Sequence, residues 1–274
     1  MKRRAAIAES SGTLGQQLER LGFDSARASE LVNAGAVYVG GRRAKALGAE
    51  VNAGAKLMVV LEESGRATVA PVVAPLLVVL HEDGQLIAVN KPAGALSQPS
   101  EGRKDSLLTQ VSEYLGVEAG LVHRLDKETS GVLVFGKNPG ATSKLAEEFR
   151  LGRAKKRYLA RVKSGVPERL TIDLPLSRDP SRPGKWRAST KHHGIPAQTE
   201  LLVLERGVSD LVELLPATGR THQLRAHLAG IGFPIVGDKL YGGEPGPRCL
   251  LHAQRLEILG RVIKAPLPED FSVH

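Results

Sequence analysis

Residues 123–131, HRLDKETSG, place a histidine, an arginine and an aspartate within four positions, just before the apolar run VLVF. An ionised carboxylate in such a loop can attack an electrophilic carbon or accept a proton, and a neighbouring arginine can bind phosphate. The bland alternative is a solvated turn that enters a strand. Two other stretches bear on the choice. RLGRAKKRYLARVK (150–163) holds seven Lys/Arg, no acid and one aromatic, Tyr158. An exposed edge strand uses lysine and arginine against aggregation, but this density suits contact with a phosphate backbone better, with Lys155, Lys156 and Arg157 as the candidates. In ATGRTHQLRAHLAGIGFPIVGDKLYGG (217–243), Thr221 is expected to cap a helix on which His222, Arg225 and Ala229 share one face. Leu224 and Leu228 form the adjoining apolar stripe. Arg225 therefore points into a cleft, where a guanidinium requires a carboxylate partner.

Two apparent signals carry no chemistry. GVLVFGKN (131–138) matches G-x-x-x-x-G-K, but its intervening residues are strand formers and asparagine stands where a phosphate loop needs Ser or Thr. His222 and His227 lie five apart on different helical faces, and His192 and His193 are adjacent with diverging side chains. Neither pair forms a metal-ligand set, so no metal is expected.

The elements that position these residues can be read from periodicity. Leucines 14, 18 and 21 mark one helix face ended by Gly22, and a second helix begins at Asp24 or Ser25, buries Leu31 and Val32, and ends at Gly35. Short strands follow in AVYVGGRRA and AKLMVVLE. Residues 1–12 are expected to be a disordered tail, 13–63 a small module, 64–75 a Pro-containing linker, and 76–274 a larger domain. In that domain LIAVNKPAG, VLVFGK and KRYLARV read as strands, with further strands at 185–189, 198–205 and 209–215. Helices are expected at 105–116, 141–149 and near 221–230. Strands and helices do not alternate strictly, so the fold class is α+β with a mixed, largely antiparallel sheet.

The 274 residues carry a net charge of +9 and a single cysteine. The charge favours a polyanionic partner, and one cysteine excludes an intrachain disulfide and fits a reducing cytoplasm. No apolar run is long enough for a membrane helix, and no secretion signal is evident. Residues 1–64 hold nine Lys/Arg against seven Asp/Glu, so most of the excess lies beyond the small module.

Two short helices, a Gly-Gly turn and a closing strand make residues 13–63 resemble the small RNA-binding module of ribosomal protein S four, in a degenerate form with only Arg27 as a cation on its second helix. HRLDKETSGVLVFGK (123–137), KRYLARV (156–162), GRTHQLRAHLAGIGFPIVGDKLYG (219–242) and LLHAQRLEI…APLPEDF (250–271), with the lead-in LIAVNKPAG, together resemble the RluA-type pseudouridine synthases. The resemblance covers about residues 76–271. It implies the pseudouridine synthase fold and an isomerase that cuts the bond between ribose and uracil nitrogen, turns the base, and rejoins ribose to its fifth carbon. It assigns catalysis to Asp126, with Tyr158 stacking on the flipped base and assisting proton removal. Arg225 is expected to pair with Asp126 and keep it ionised. Arg124 is expected to fill the vacated stack or contact backbone, with His123 as a loop anchor. Arg220, His222, Lys155, Lys156, Arg157 and Leu251 are the remaining substrate contacts. Lys91 is either structural or touches phosphate.

No cofactor is implied. The expected partner is structured ribosomal RNA, ahead of transfer RNA, bound by a cytoplasmic monomer. A non-catalytic RNA-binding or ribosome-assembly factor on the same scaffold is the alternative, against which the intact set of Asp126, Tyr158 and Arg225 argues.

Overall fold

Thr13 and Gln16 begin the first helix as their types require. In this computed structural model, which describes residues 2–33, 35–40, 42–44, 46–61, 77–100, 105–188 and 194–271, the Thr13 hydroxyl accepts the Gln16 N–H while the Gln16 side chain accepts the Thr13 N–H. This capping box opens α1 (Leu14–Arg20). Asp24 accepts the Arg27 N–H at 2.8 Å and opens α2 (Ser25–Asn33). Leu14, Leu18 and Leu31 are fully buried, as the leucine spacing requires. A four-stranded antiparallel sheet follows the order β1 (Lys2–Ile7), β6 (Lys56–Leu61), β3 (Val37–Val39), β4 (Arg42–Arg43), and β2 (Gly12–Thr13) pairs with β5 (Glu50–Val51).

The expected disordered tail is corrected here. Lys2–Ile7 pairs with β6 along its whole length, from Lys2 opposite Leu61 to Ile7 opposite Lys56. The apolar strand β6 otherwise offers an open edge of backbone N–H and C=O groups, and six residues of chain satisfy it. The expected linker at 64–75 lies outside the described residues.

The chain divides into one unit of residues 1–79 and 110–118 and another of 80–109 and 119–274. The second unit is built on a ten-stranded sheet. In chain order the elements that follow β6 are β7 (Val78–Glu82), β8 (Leu86–Lys91), α3 (Leu107–Leu115), β9 (Gly120–Leu121), β10 (Ser130–Gly136), α4 (Pro139–Arg150), β11 (Lys155–Lys163) and β12 (Arg169–Asp173). A two-stranded hairpin, β13 (Leu176–Arg178) with β14 (Trp186–Ala188), comes next. The chain then continues through β15 (Gln198–Glu205), β16 (Ser209–Pro216), α5 (Gln223–Gly230), β17 (Leu251–Ile258) and β18 (Arg261–Lys264). The sheet order is β12-β15-β16-β11-β17-β10-β8-β7, with β18 on β17 and β9 on β10. Among the described residues only β10 and β17 pair in parallel, so the sheet is mixed and largely antiparallel. No helix among the described residues is long and apolar enough to cross a membrane.

Two apolar clusters flank the strands that carry the site. Ala160, Val162, Val212 and Leu214 pack with Leu224 and Leu228 of α5, while Ala88, Val132, Val134 and Leu256 pack with Leu145 of α4. Every residue of β10 is buried, which is why it reads as a continuous apolar run. Its second residue must be glycine: Gly131 has φ +113°, and a Cβ there would lie 2.2 Å from the Ala253 carbonyl oxygen of β17. This close approach fixes where the loop 122–129 enters the sheet. The helix near 221–230 begins later than expected. Gln223 is its first residue and His222 its N-cap, so Thr221 does not cap it.

Candidate active site

The loop before β10 is held from behind by groups that the sheet buries. Lys91, at the end of β8, is 0 % exposed. Its ammonium donates to the carbonyls of Pro92, Lys127 and Thr129 at 3.0, 2.9 and 2.7 Å. The lysine left open by the sequence therefore acts as a clamp on both sides of Glu128, away from phosphate. Burial pulls its pKa down to about 7, against the pull of Glu128 and Asp126. Ser97 adds a second clasp: its hydroxyl donates to the Leu125 carbonyl at 2.8 Å and accepts the Leu125 N–H at 3.1 Å. Leu125 is buried, so alternation along the loop turns Arg124 and Asp126 outward.

His123 is an anchor as well. Its Nε2 accepts the Val134 N–H at 3.1 Å, and its ring stacks on Phe149 with centroids 4.5 Å apart. Burial, reinforced by Lys156, drives its pKa down to about 3, so the ring is neutral and carries its proton on Nδ1. Below the loop, Ser130 Oγ lies 2.9 Å from His252 Nδ1. Burial lowers His252 to about 4.

Asp126 emerges from this frame with 18 % of its side chain exposed. It lines a cavity of about 570 Å³ together with His123, Arg124, Lys156, Tyr158, Arg220, His222, Arg225 and Leu251. A second cavity, of about 290 Å³, shares Arg124, Leu125, Asp126, His222 and Arg225 with the first and extends along Leu96–Ser100. Tyr158 reaches the cavity where the β11–β17 register shifts between Arg157 and Tyr158, an irregularity of the kind that re-aims side chains beside active sites. Burial, then the Asp126 charge, pushes the Tyr158 phenol up, so it stays protonated. Lys156 donates to the Thr218 carbonyl at 2.9 Å and holds the loop after β16 against the cavity. Burial lowers its pKa. Lys155 and Arg157, expected beside it, do not line the cavity: Lys155 faces solvent and Arg157 is paired with Glu213 at 2.7 Å.

Arg225 is placed as its spacing demands, but its main partner is different. Its Nε and one terminal nitrogen bind the two oxygens of Asp238 at 2.7 and 2.8 Å, and the other terminal nitrogen reaches Asp126 Oδ2 at only 3.5 Å. The expected Arg225–Asp126 pair is thus the weaker arm of a fork anchored on Asp238. Burial opposes the charge of Arg225, but the Asp238 carboxylate more than offsets this and raises its pKa. Asp238 is 1 % exposed. It also accepts the Leu240 and Tyr241 N–H groups, and the Tyr241 ring covers the guanidinium at 5.1 Å.

Sequence reasoning missed Asp238, Ser97 and Gln223. The Gln223 amide accepts from the Thr218 hydroxyl and the Arg220 N–H and donates to the Gln198 carbonyl and the Thr199 hydroxyl, which pins the rim loop to β15. The GDKLYG wording contained Asp238, but nothing in it indicates a partner 13 residues upstream. Among the described residues no group of three or more His, Cys, Asp or Glu is arranged to hold a metal ion.

Residues 85–230 match the profile of the RNA pseudouridylate synthase family. This chain belongs to that family. As an RNA pseudouridine synthase it is an isomerase. Its sequence is 42 % identical over 212 residues to the dual-specificity RNA pseudouridine synthase RluA of Escherichia coli O6:H1, covering 72 % of this chain and 95 % of that protein. It is 36 % identical to the ribosomal large subunit pseudouridine synthase D of Nitrosomonas europaea, over 72 % of this chain and 63 % of that one. The fold matches human RNA pseudouridylate synthase domain containing 1 with a TM-score of 0.61 and 28 % identity, over 71 % of this chain and 84 % of that one.

Proposed function

We propose that this synthase isomerises specific uridines of ribosomal or transfer RNA, with Asp126 as the catalytic group. The carrying observation is the setting of that carboxylate: rigidly backed, partly exposed, and facing a cavity large enough for a flipped base. Its action is attack on the ribose or the ring, or proton acceptance. Arg225, oriented by Asp238, presents its remaining N–H to Asp126 Oδ2. Tyr158, a neutral phenol, stacks on the extruded uracil. Leu251 supplies an apolar wall. Arg124, Arg220 and Lys156 at the rim contact the RNA. Likeness to a ribosomal large subunit synthase supports ribosomal RNA as substrate, and likeness to an enzyme named for dual specificity supports more than one target.

The small N-terminal unit is read as an accessory RNA-binding module of the S four type. Its contribution is modest, because Arg27 on α2 is tied to Glu30 at 2.8 Å. The enzyme acts in the cytoplasm as a monomer.

The test is Asp126→Asn with pseudouridine mapping in RNA from cells with and without the chain. Product is expected to fall to background, by about 10³-fold or more on the scale of losing an essential catalytic group, with RNA affinity and thermal midpoint unchanged. Retained turnover would overturn the assignment.

A further inference from the structure

His222 occupies an unusual place for its type. It is the N-cap of α5, where Ser, Thr, Asp or Asn would bind a free N–H, yet its side chain makes no capping bond. Its backbone is left-handed, at φ 54° and ψ 18°, a region that non-glycine residues enter rarely and that clusters at functional sites. The ring is turned toward the site instead. Nδ1 lies 3.1 Å from the Tyr241 hydroxyl, and Nε2 lies 3.8 Å from Asp126 Oδ2. The Tyr241 oxygen already accepts the Trp186 N–H at 3.0 Å, which leaves its own proton to donate to Nδ1. With Nδ1 assigned as the acceptor from Tyr241, the proton of the neutral imidazole falls on Nε2, the nitrogen nearer the carboxylate.

We infer that His222 is a positioning residue for Asp126: its Nε2–H edge, with the tautomer set by Tyr241, faces Oδ2 at 3.8 Å, a polar contact longer than a hydrogen bond, and together with Arg225 favours the orientation in which Oδ1 faces the substrate. This rests on the reading of Asp126 as the catalytic group. Arg225 gives its two best bonds to Asp238, so Oδ2 needs a second holder. A neutral donor provides one without adding charge to the carboxylate's surroundings. The charged and titratable groups facing the ring are Asp126 and Arg124 from the catalytic loop, Arg225 from α5, and Asp238 and Tyr241 from the segment after it. Lys185 on the β13–β14 turn lies over the Tyr241 ring, 5.7 Å from its centroid. Burial keeps His222 below the ordinary histidine value, while Asp126 pulls it upward, and the Tyr241 phenol is pushed up to about 12 and stays protonated.

The test has two arms. In ¹⁵N spectra of histidine-labelled enzyme, His222 should be the Nε2–H tautomer at neutral pH, should lose that preference in Tyr241→Phe, and should titrate lower in Asp126→Asn. An Nδ1–H tautomer, or a titration indifferent to Asp126→Asn, would overturn the proposal without reference to activity. In single-turnover pseudouridine formation, His222→Ala should slow the chemical step about tenfold or more, with RNA Kd within about twofold. His222→Asn, which tolerates the left-handed backbone, should be slowed as much, and Tyr241→Phe less. Weakened Kd with an unchanged chemical step would refute it. Failure of the wild type to form pseudouridine would instead strike the function assigned to Asp126, and the ¹⁵N arm would still decide on His222.

Discussion

Behind Asp126, Lys91 and Asp238 are almost wholly buried and bound by protein groups. Lys91 uses its three donors on three carbonyls, and Asp238 uses both oxygens on a guanidinium and two backbone N–H groups. In front of it, Arg124 and Arg220 are exposed. Arg220 reaches the Pro196 carbonyl at 3.4 Å, and Arg124 has no hydrogen bond or ion pair among the described residues. The same charged residue types therefore serve opposite purposes on the two sides of one carboxylate. A buried charge must be matched by protein partners, or it would be too costly to keep ionised. A rim charge remains available to a ligand because no protein group has claimed it. Burial, and not residue type, separates residues that hold the site from residues left at its exposed rim.

The comparison breaks most visibly at Asp238. Asp238→Ala strands the Arg225 guanidinium in a site where that side chain is 7 % exposed, and losing one partner of a buried pair costs about 3–5 kcal/mol. Urea unfolding should show that loss, together with a large fall in activity, because Arg225 loses the fork that aims it at Asp126. A variant within about 0.5 kcal/mol of wild type would mean that the pair is not part of the frame. Lys91→Met comes next. Methionine fills the aliphatic path but takes the ammonium donor from the carbonyls of Pro92, Lys127 and Thr129, the first two of which keep a backbone N–H partner, for an expected loss of about 2–3 kcal/mol in the same measurement. The loop should also become more accessible to hydrogen exchange at Thr129, whose N–H binds the Asp126 carbonyl.

His123 gives a pH-dependent version of the contrast. Its folded pKa is depressed, from an ordinary 6.5 to about 3. The stability tied to its neutral form is present above pH 6.5 and lost as pH falls toward 3, since the unfolded chain takes up the proton first. By pH 5 this amounts to up to about 2 kcal/mol. His123→Gln keeps an acceptor for the Val134 N–H but does not titrate, so its unfolding free energy should fall less between pH 7 and 5. An identical slope in the two proteins would remove His123 from the acid-sensitive frame.

These groups also show where the sequence was informative. β10 was legible because a strand buried throughout is uninterrupted in its apolar residues, and α1 and α2 because their caps are local. That Asp126, Tyr158 and Arg225 belong together was legible because each lies in a dense block of chemically unusual composition, and the fold brings the three to one cavity. Asp238 and Lys91 were not assigned, because their roles depend on partners 13 and 36 to 38 residues away that only the folded sheet brings close. Lys156 could not be told from Lys155 and Arg157 by composition, since register and the Glu213 pairing from β16 decide which cation faces the cavity. The tail read as disordered was a strand whose partner, β6, lies some fifty residues on.

The smallest effect on stability belongs to Arg124, and it sharpens the comparison from the other side. Arg124→Ala removes an exposed side chain with no protein partner among the described residues, so the unfolding free energy should stay within about 0.5 kcal/mol of wild type. RNA affinity should fall, and the way it falls identifies the contact. An arginine on phosphate releases a counterion on binding, so its loss should make the plot of log affinity against log salt shallower by about 0.7–0.9. An arginine that instead fills the stack vacated by a flipped base acts by shape, and its loss should leave the slope unchanged while slowing base extrusion in single turnover. Either result keeps Arg124 on the reaching side of the carboxylate. A loss of stability as large as that of Asp238→Ala would place it among the groups that hold.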